Sequence, residues 1–162
     1  MWIAGCWTVT LLAAAAASQS ASERKSGLPD PPKKDVPYLI HADRLLETEV
    51  SEAKEETRKD EQLYSIAGAG SPARTPLASP EFLFVSDAIP ADKLRLYRVE
   101  PRQGRREVVV TRKKKPLARP IPLSILRIHE KLFKVRVDHS LAPGEYTLSP
   151  EGSNAVFCFA VE

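Results

Sequence analysis

Short runs of alternating apolar and polar residues dominate the chain after residue 80 and predict β-strands. Leu94, Leu96 and Val99 alternate with arginines, a turn follows at 101–104, and Arg105–Arg112 returns with three valines at its centre. This arrangement predicts a β-hairpin. Strands are also predicted at Glu81–Val85, Leu123–Ile128, Leu132–Val137, Glu145–Leu148 and Ala155–Val161. Their spacing, with turn residues between them, predicts an all-β fold: a single Greek-key sandwich of about seven strands.

The run Leu141-Ala142-Pro143-Gly144-Glu145-Tyr146 lies between two of these predicted strands and has the form of a tyrosine corner. In such a corner, a tyrosine near the start of a late strand donates its hydroxyl to the backbone a few residues upstream. We therefore expect Leu141, Gly144 and Tyr146 to form a structural corner that fixes a crossover between the sheets.

The segment from Asp43 to Glu61 has a mixed pattern. Leu46, Thr48 and Val50 alternate with glutamates, which suits a half-buried strand. From Ser51 onward the residues are charged and rich in helix formers, without an apolar stripe. This part predicts either a solvated short helix within 51–62 or a mobile connection between strands.

The first 17 residues predict a secretory signal peptide. Trp2 to Ala17 is uncharged and mostly apolar, and it ends in small residues. The run is shorter than the roughly 20 residues that a membrane-spanning helix needs. Ile3–Cys6 spells a lipobox, but its apolar region follows the cysteine, which argues against a lipoprotein anchor at Cys6. The predicted organisation is a signal peptide at 1–17, a Pro/Ser/Lys-rich linker at 18–36 and a β-sandwich domain at 37–162.

Length and cysteine content suit one domain without disulfides. The chain has 162 residues and 14 prolines, and prolines disfavour a helical bundle because they interrupt helices. Removal of residues 1–17 would leave Cys158 as the only cysteine. Cys158 lies in an apolar predicted strand, so the pattern favours a small buried side chain over a redox role.

Five segments of the chain together resemble uncharacterised exported β-domains of bacteria. They occur in the same order in both, and here they are Pro80–Phe84, Leu94–Val99, Arg105–Val108, Leu141–Tyr146 and Val156–Val161. The likeness covers residues 38–162, beginning at Tyr38-Leu39-Ile40. The Leu-Pro-Gly-Tyr run is also similar to strands of fibronectin type III domains, which serve as spacers and binding modules. The resemblance implies a fold and an exported location, and it brings no assigned activity.

The sequence carries no motif for a catalytic or cofactor site. No Gly-x-Ser-x-Gly elbow is present, and Asp138-His139-Ser140 cannot form a triad because strand neighbours point to opposite faces. His41, His129 and His139 have no metal-ligand spacing. We expect no enzyme activity and no cofactor.

Charge is distributed unevenly along the chain. The stretch from Lys93 to Arg119 contains eleven Lys or Arg residues and two glutamates, whereas 43–61 contains eight acidic and four basic residues. The basic stripe predicts a polyanion-binding set, namely Arg102, Arg105, Arg106, Arg112, Lys113, Lys114 and Lys115. Edge strands that carry Lys and Arg to prevent aggregation explain the same charges without any ligand.

The sequence therefore predicts a non-enzymatic, exported interaction or structural module of the bacterial cell envelope, periplasmic or extracellular. Its partner would be an envelope protein bound through loops or an exposed strand edge. The alternative is a binder of an anionic envelope polymer or a lipid head group. No nucleic-acid partner is expected, because the stripe lacks interleaved aromatic residues for base stacking.

Overall fold

The computed structural model describes residues 29–58, 61–111 and 118–162. Within these ranges the fold is all-β, with one 3-10 turn at Ala91–Lys93 and no helix long and apolar enough to cross a membrane. The strands are β1 Pro37–His41, β2 Arg44–Glu47, β3 Glu49–Glu52, β4 Lys54–Arg58, β5 Glu61–Ala67, β6 Arg74–Thr75, β7 Glu81–Val85, β8 Leu94–Arg102, β9 Arg105–Thr111, β10 Leu123–Arg127, β11 Leu132–Val137, β12 Gly144–Pro150 and β13 Ala155–Val161.

The strands form two sheets. The first has five antiparallel strands in the order β10-β11-β7-β1-β2. The second has eight, in the order β3-β13-β12-β8-β9-β5-β4, with the short β6 parallel to β13. This second sheet curls strongly into a half-barrel. The predicted all-β class is confirmed, but the predicted single sandwich of about seven strands is not: the described residues form thirteen strands in two sheets, and one of these is a curled half-barrel.

The main core lies between the first sheet and strands β8, β12 and β13 of the second. Phe82 and Phe84 of β7 are fully buried, as is Phe159 of β13. The rings of Phe82 and Phe159 meet edge to face with centroids 5.0 Å apart, and Tyr146 stacks on Phe159 at 5.7 Å. Aromatic pairs in these geometries add to the free energy of area burial, so the aromatic side chains of β7, β12 and β13 hold the two layers together.

Residues 44–58 form three short strands in succession, and each pairs with a different strand. β2 pairs with β1 in the first sheet, β3 pairs with β13, and β4 pairs with β5. The segment changes partners at two buried residues, Thr48 and Ala53. Over its described part, 51–62 forms strands, so it is neither of the two expected alternatives, a short helix or a mobile connection. Backbone pairing with neighbouring strands outweighs the helix propensity of its charged side chains.

The hairpin and the four strands at the carboxyl-terminal end are confirmed. β8 and β9 are joined by Gln103 and Gly104, whose φ angles are 48° and 79°. Positive φ at both turn residues matches the twist of an antiparallel pair. β10 to β13 fall within one or two residues of their predicted bounds.

The folded part includes residues that the sequence assigned to the linker. Asp35 lies in the left-handed region at φ 59°, and its carboxylate accepts hydrogen bonds from the backbone N–H groups of Asp87, Ala88 and Ile89 at 2.8–3.1 Å. Val36 packs against the main core. The compact structure therefore begins before the predicted boundary at residue 37.

Candidate functional site

The concave interior of the curled second sheet contains an open cavity. Alternate residues of β12 face opposite sides, so Tyr146 and Leu148 enter the main core while Thr147 and Ser149 face this interior. The interior opens as a cleft of about 510 Å³. We use "the cleft" for this opening and its apolar and aromatic walls, which are formed by Ala53, Tyr64, Ile66, Tyr97, Val108 and Val156.

Two tyrosines, Tyr64 and Tyr97, line this cleft. Tyr64 lies on β5 directly opposite Val108 of β9, and Tyr97 lies on β8 opposite Thr147 of β12. Both side chains are half-buried. Burial raises the pKa of Tyr97 above its ordinary value, so its hydroxyl stays protonated and can donate a hydrogen bond at neutral pH.

The rim of the cleft is polar. Arg95 Nη2 lies 2.9 Å from Glu151 Oε2, and Arg95 Nη1 donates to the carbonyls of Asp92 and Leu94 at 2.8 and 2.9 Å. The β12–β13 turn at 151–154 forms another part of the rim. An apolar-walled cleft with a charged rim suits a ligand whose apolar part enters and whose polar part stays at the surface.

A buried ion cluster, made of Arg106, Glu49 and Glu145, lies in the same curled sheet at the start of β12. The Arg106 side chain is fully buried and forms a two-pronged pair with Glu49, with N–O distances of 2.7 and 2.8 Å. It also donates to the carbonyls of Ala67 at 2.7 Å and Gly68 at 3.1 Å, and it lies 3.8 Å from Glu145 Oε2. All three nitrogen atoms of the Arg106 guanidinium group therefore donate to oxygen atoms of the protein itself.

The prediction that Arg106 binds a polyanion is therefore wrong. Strand neighbours point to opposite faces, and Arg106 takes the inner face of β9 together with Val108. Arg105 takes the outer face, where its guanidinium lies 2.6 Å from Glu107 and 4.0 Å from Glu56. Arg105 is thus partly exposed but already neutralised by acidic neighbours.

Cys158 lies in the small apolar cluster of the curled sheet, with Ala53, Ile66, Val99 and Val156. It is a fully buried free thiol. Burial raises the pKa of Cys158 to about 11, even though the hydroxyl of Thr147, 3.5 Å away, favours the thiolate. The thiol is protonated and shielded at neutral pH, which matches its expected role as a small core side chain.

A second, shallower cavity of about 350 Å³ opens where β9 leaves β8. β8 pairs with β9 only at residues 100–102, and at Leu96 its neighbour is Ile121 instead. We call this cavity the recess. Three arginine side chains line it, those of Arg98, Arg102 and Arg119.

The tyrosine-corner segment has the expected geometry. The Tyr146 hydroxyl donates to the carbonyl of Ala142 at 2.7 Å, four residues upstream, and Leu141 is buried in the main core. Gly144 has φ +155°, and a Cβ there would lie 3.3 Å from Arg98 Nη2. The corner therefore borders one of the arginines of the recess.

The remaining predicted polyanion residues, Arg112, Lys113, Lys114 and Lys115, lie outside the described residues. Arg102 is exposed at the hairpin turn and lines the recess. Across the ranges that the structure covers, no group of three or more His, Cys, Asp or Glu side chains is placed to hold a metal ion.

Comparisons with protein families, with curated proteins and with solved structures found no match to this chain.

The sequence did not reveal the cleft, because its lining comes from six strands that are brought together only by the curl of the sheet. One local signal was present. Tyr64 and Tyr97 each stand two residues before an apolar residue, Ile66 and Val99, so alternation puts each tyrosine on the same strand face as an apolar side chain. The recess had a signal too, since Arg98 and Arg119 belong to the basic stripe.

Proposed function

We propose that this chain is an exported, non-enzymatic interaction module of the bacterial cell envelope, and that the cleft is its binding site. One observation carries the proposal: the curled sheet opens into a cavity of about 510 Å³ whose walls include two half-buried tyrosines. Cavities of a few hundred Å³ with apolar and aromatic walls and few polar groups are the usual form of a binding site.

The dimensions favour an aromatic or apolar side chain from a partner protein as the ligand. Such anchors bury well in a pocket of this kind and dominate interface energies. The rim would contact the polar surroundings of the anchor through Arg95 and the turn at 151–154. Export is proposed from the apolar leader at residues 1–17 and from the resemblance to exported bacterial β-domains.

The experiment is an envelope pull-down with the purified chain as bait, washed first at low salt and then at high salt. We expect a discrete protein to survive the high-salt wash, because burial of an apolar anchor responds little to ionic strength. Tyr97→Ala should abolish its capture, since this change removes one wall of the cleft.

Three further baits identify the surface. Asn154→Trp adds bulk at the rim while removing no buried side chain, so it should block capture without destabilising the fold. Leu126→Lys places a charge on the exposed edge strand β10, where Leu126 is 64% exposed, and it should leave capture intact. Lys113→Glu/Lys114→Glu/Lys115→Glu should also leave it intact. Loss of capture with Leu126→Lys alone would move the interface to the strand edge and refute the cleft.

A further inference from the structure

We infer that the recess between β8 and β9 is a separate site for a phosphoryl group, carried either on a lipid head group or on a soluble polymer. The inference does not depend on the proposed function of the cleft. It rests on three arginines that reach one cavity from two sides, Arg98 and Arg102 from β8 and Arg119 from the segment that follows β9.

The recess exists because β8 changes partners. At residues 100–102 it pairs with β9, but further back the backbone N–H of Ile121 donates to the carbonyl of Leu96 at 2.8 Å. The opening between these two pairings exposes alternate residues 98, 100 and 102 on the same side of β8. The backbone therefore holds Arg98 and Arg102 at fixed spacing along one wall of a cavity.

The charges around the recess do not cancel. Arg98 Nε lies 3.2 Å from Glu100, and Glu107 is engaged 2.6 Å from Arg105. Within the described ranges, no ion pair joins Arg102 or Arg119 to a carboxylate. The recess thus retains two exposed guanidinium groups whose charge is not offset by a contact.

The hairpin places like charges together at a cost. Arg102 and Arg105 are direct cross-strand partners, and so are Glu100 and Glu107. Like charges directly opposite each other destabilise a sheet. Glu107 forms an ion pair with Arg105 but not with Arg102, so the positive charge of Arg102 is not offset. An anion bound at Arg102 would reduce the remaining repulsion between the two arginines.

Guanidinium groups are suited to phosphoryl oxygens because their planar forks donate two parallel hydrogen bonds. A cavity of about 350 Å³ is large enough for a phosphate ester with part of its carrier. Glu100 and Glu107 at the wall favour ligands that also bear hydroxyl groups, which can donate to these carboxylates.

The test measures binding of the full chain to two probes, soluble inorganic polyphosphate and vesicles of phosphatidylglycerol in phosphatidylcholine. Vesicles of pure phosphatidylcholine provide the uncharged reference. We expect at least one probe to bind with strong salt dependence. Arg102→Gln/Arg119→Gln should weaken binding at least 10-fold and reduce the slope of log K against log salt by about 1.5, as for two lost phosphate contacts. Binding to vesicles but not to polyphosphate would assign the lipid, and the reverse would assign the polymer.

Two control variants change net charge equally at other places. Arg44→Gln/Arg136→Gln removes two exposed arginines of the first sheet, and Lys113→Gln/Lys114→Gln removes two cations that precede Ala118 in the sequence. Both should lower affinity less than 3-fold. Equal loss with the first control would mean that only net charge matters, and loss confined to the second would assign binding to residues 112–115. Either result, or no binding of any probe, would overturn the inference.

Discussion

Replacing Arg106 by methionine tests whether the buried ion cluster holds the curled sheet together. The change leaves the carboxylates of Glu49 and Glu145 without their cation and frees two backbone carbonyls, those of Ala67 and Gly68. Breaking a buried pair from one side costs about 3–5 kcal/mol. We expect about 3 kcal/mol, at the lower end of that range, because the Glu49 side chain is 23% exposed and keeps part of its hydration.

Urea unfolding measures this loss. With a slope of about 2 kcal/mol/M, a loss of about 3 kcal/mol lowers the midpoint by about 1.5 M. Arg105→Met is the matched control, because it removes the neighbouring arginine from the outer face of the same strand. Its ion pairs are partly exposed, so we expect a cost of about 0.5 kcal/mol.

A double variant separates the ion cluster from simple loss of packing. Arg106→Met/Glu49→Met should recover more than about 1 kcal/mol relative to the single variant, because it removes one unpaired carboxylate. Equal losses for Arg106→Met and Arg105→Met, both under about 1 kcal/mol, would show that the ion cluster does not stabilise the curled sheet.

Three other features yield predictions. Tyr146→Phe should cost about 1 kcal/mol in urea unfolding, the net worth of the hydrogen bond to Ala142, and an unchanged midpoint would contradict a role for the corner. In a Cys6→Ser background, a thiol reagent at pH 8 should label Cys158 only after unfolding, because the folded thiol is buried and its pKa is raised to about 11. Rapid labelling of the native chain would show that Cys158 is not buried. Burial opposes ionisation of Asp35, but three backbone N–H groups outweigh it and lower its pKa. Its contribution is therefore present above the unfolded pKa of about 3.9 and is lost as pH falls through the lower folded value. Asp35→Asn should destabilise at pH 7, and its cost should shrink as pH falls below about 3.9, as a series of urea midpoints would show.

Local patterns in the sequence were sufficient where neighbours in the chain are also neighbours in the fold. The β8–β9 hairpin depends on a turn that needs positive φ, and Gly104 supplies it. The corner likewise depends on a hydroxyl and a carbonyl four residues apart, Tyr146 and Ala142. Both features could be predicted because no distant residue decides them.

Local sequence patterns could not predict the features that depend on pairing between strands far apart in the chain. Residues 54–58 are charged and favour a helix locally, but β5 pairs along their whole length. The cleft and the recess arise where strands change partners, at Ala53 and within β8, and alternation looks the same on either side of such a point. Strand pattern identifies a strand and its two faces, but it does not identify its neighbours.

The burial of Arg106 follows from its position in the alternation of β9. It stands two residues before Val108, on the face of β9 that alternation marks as apolar. Only one of two adjacent arginines in a strand can be on the exposed face. Alternation along β9 distinguishes the partly exposed Arg105 from the buried Arg106, whereas counting the charged residues of the segment does not.

The extended segment 44–58 also constrains the order in which the chain can fold. β3 must pair with β13, which lies about 100 residues further along the sequence, before the second sheet has its β3 edge. Long-range pairing of this kind is slow, because the entropy of closing the loop is lost before the contacts form. The chain cannot reach its native topology until residues 155–161 have been synthesised. Under the proposed export, a leader at residues 1–17 would engage the translocation machinery while the rest is still unfolded, and completion of the fold would follow transport.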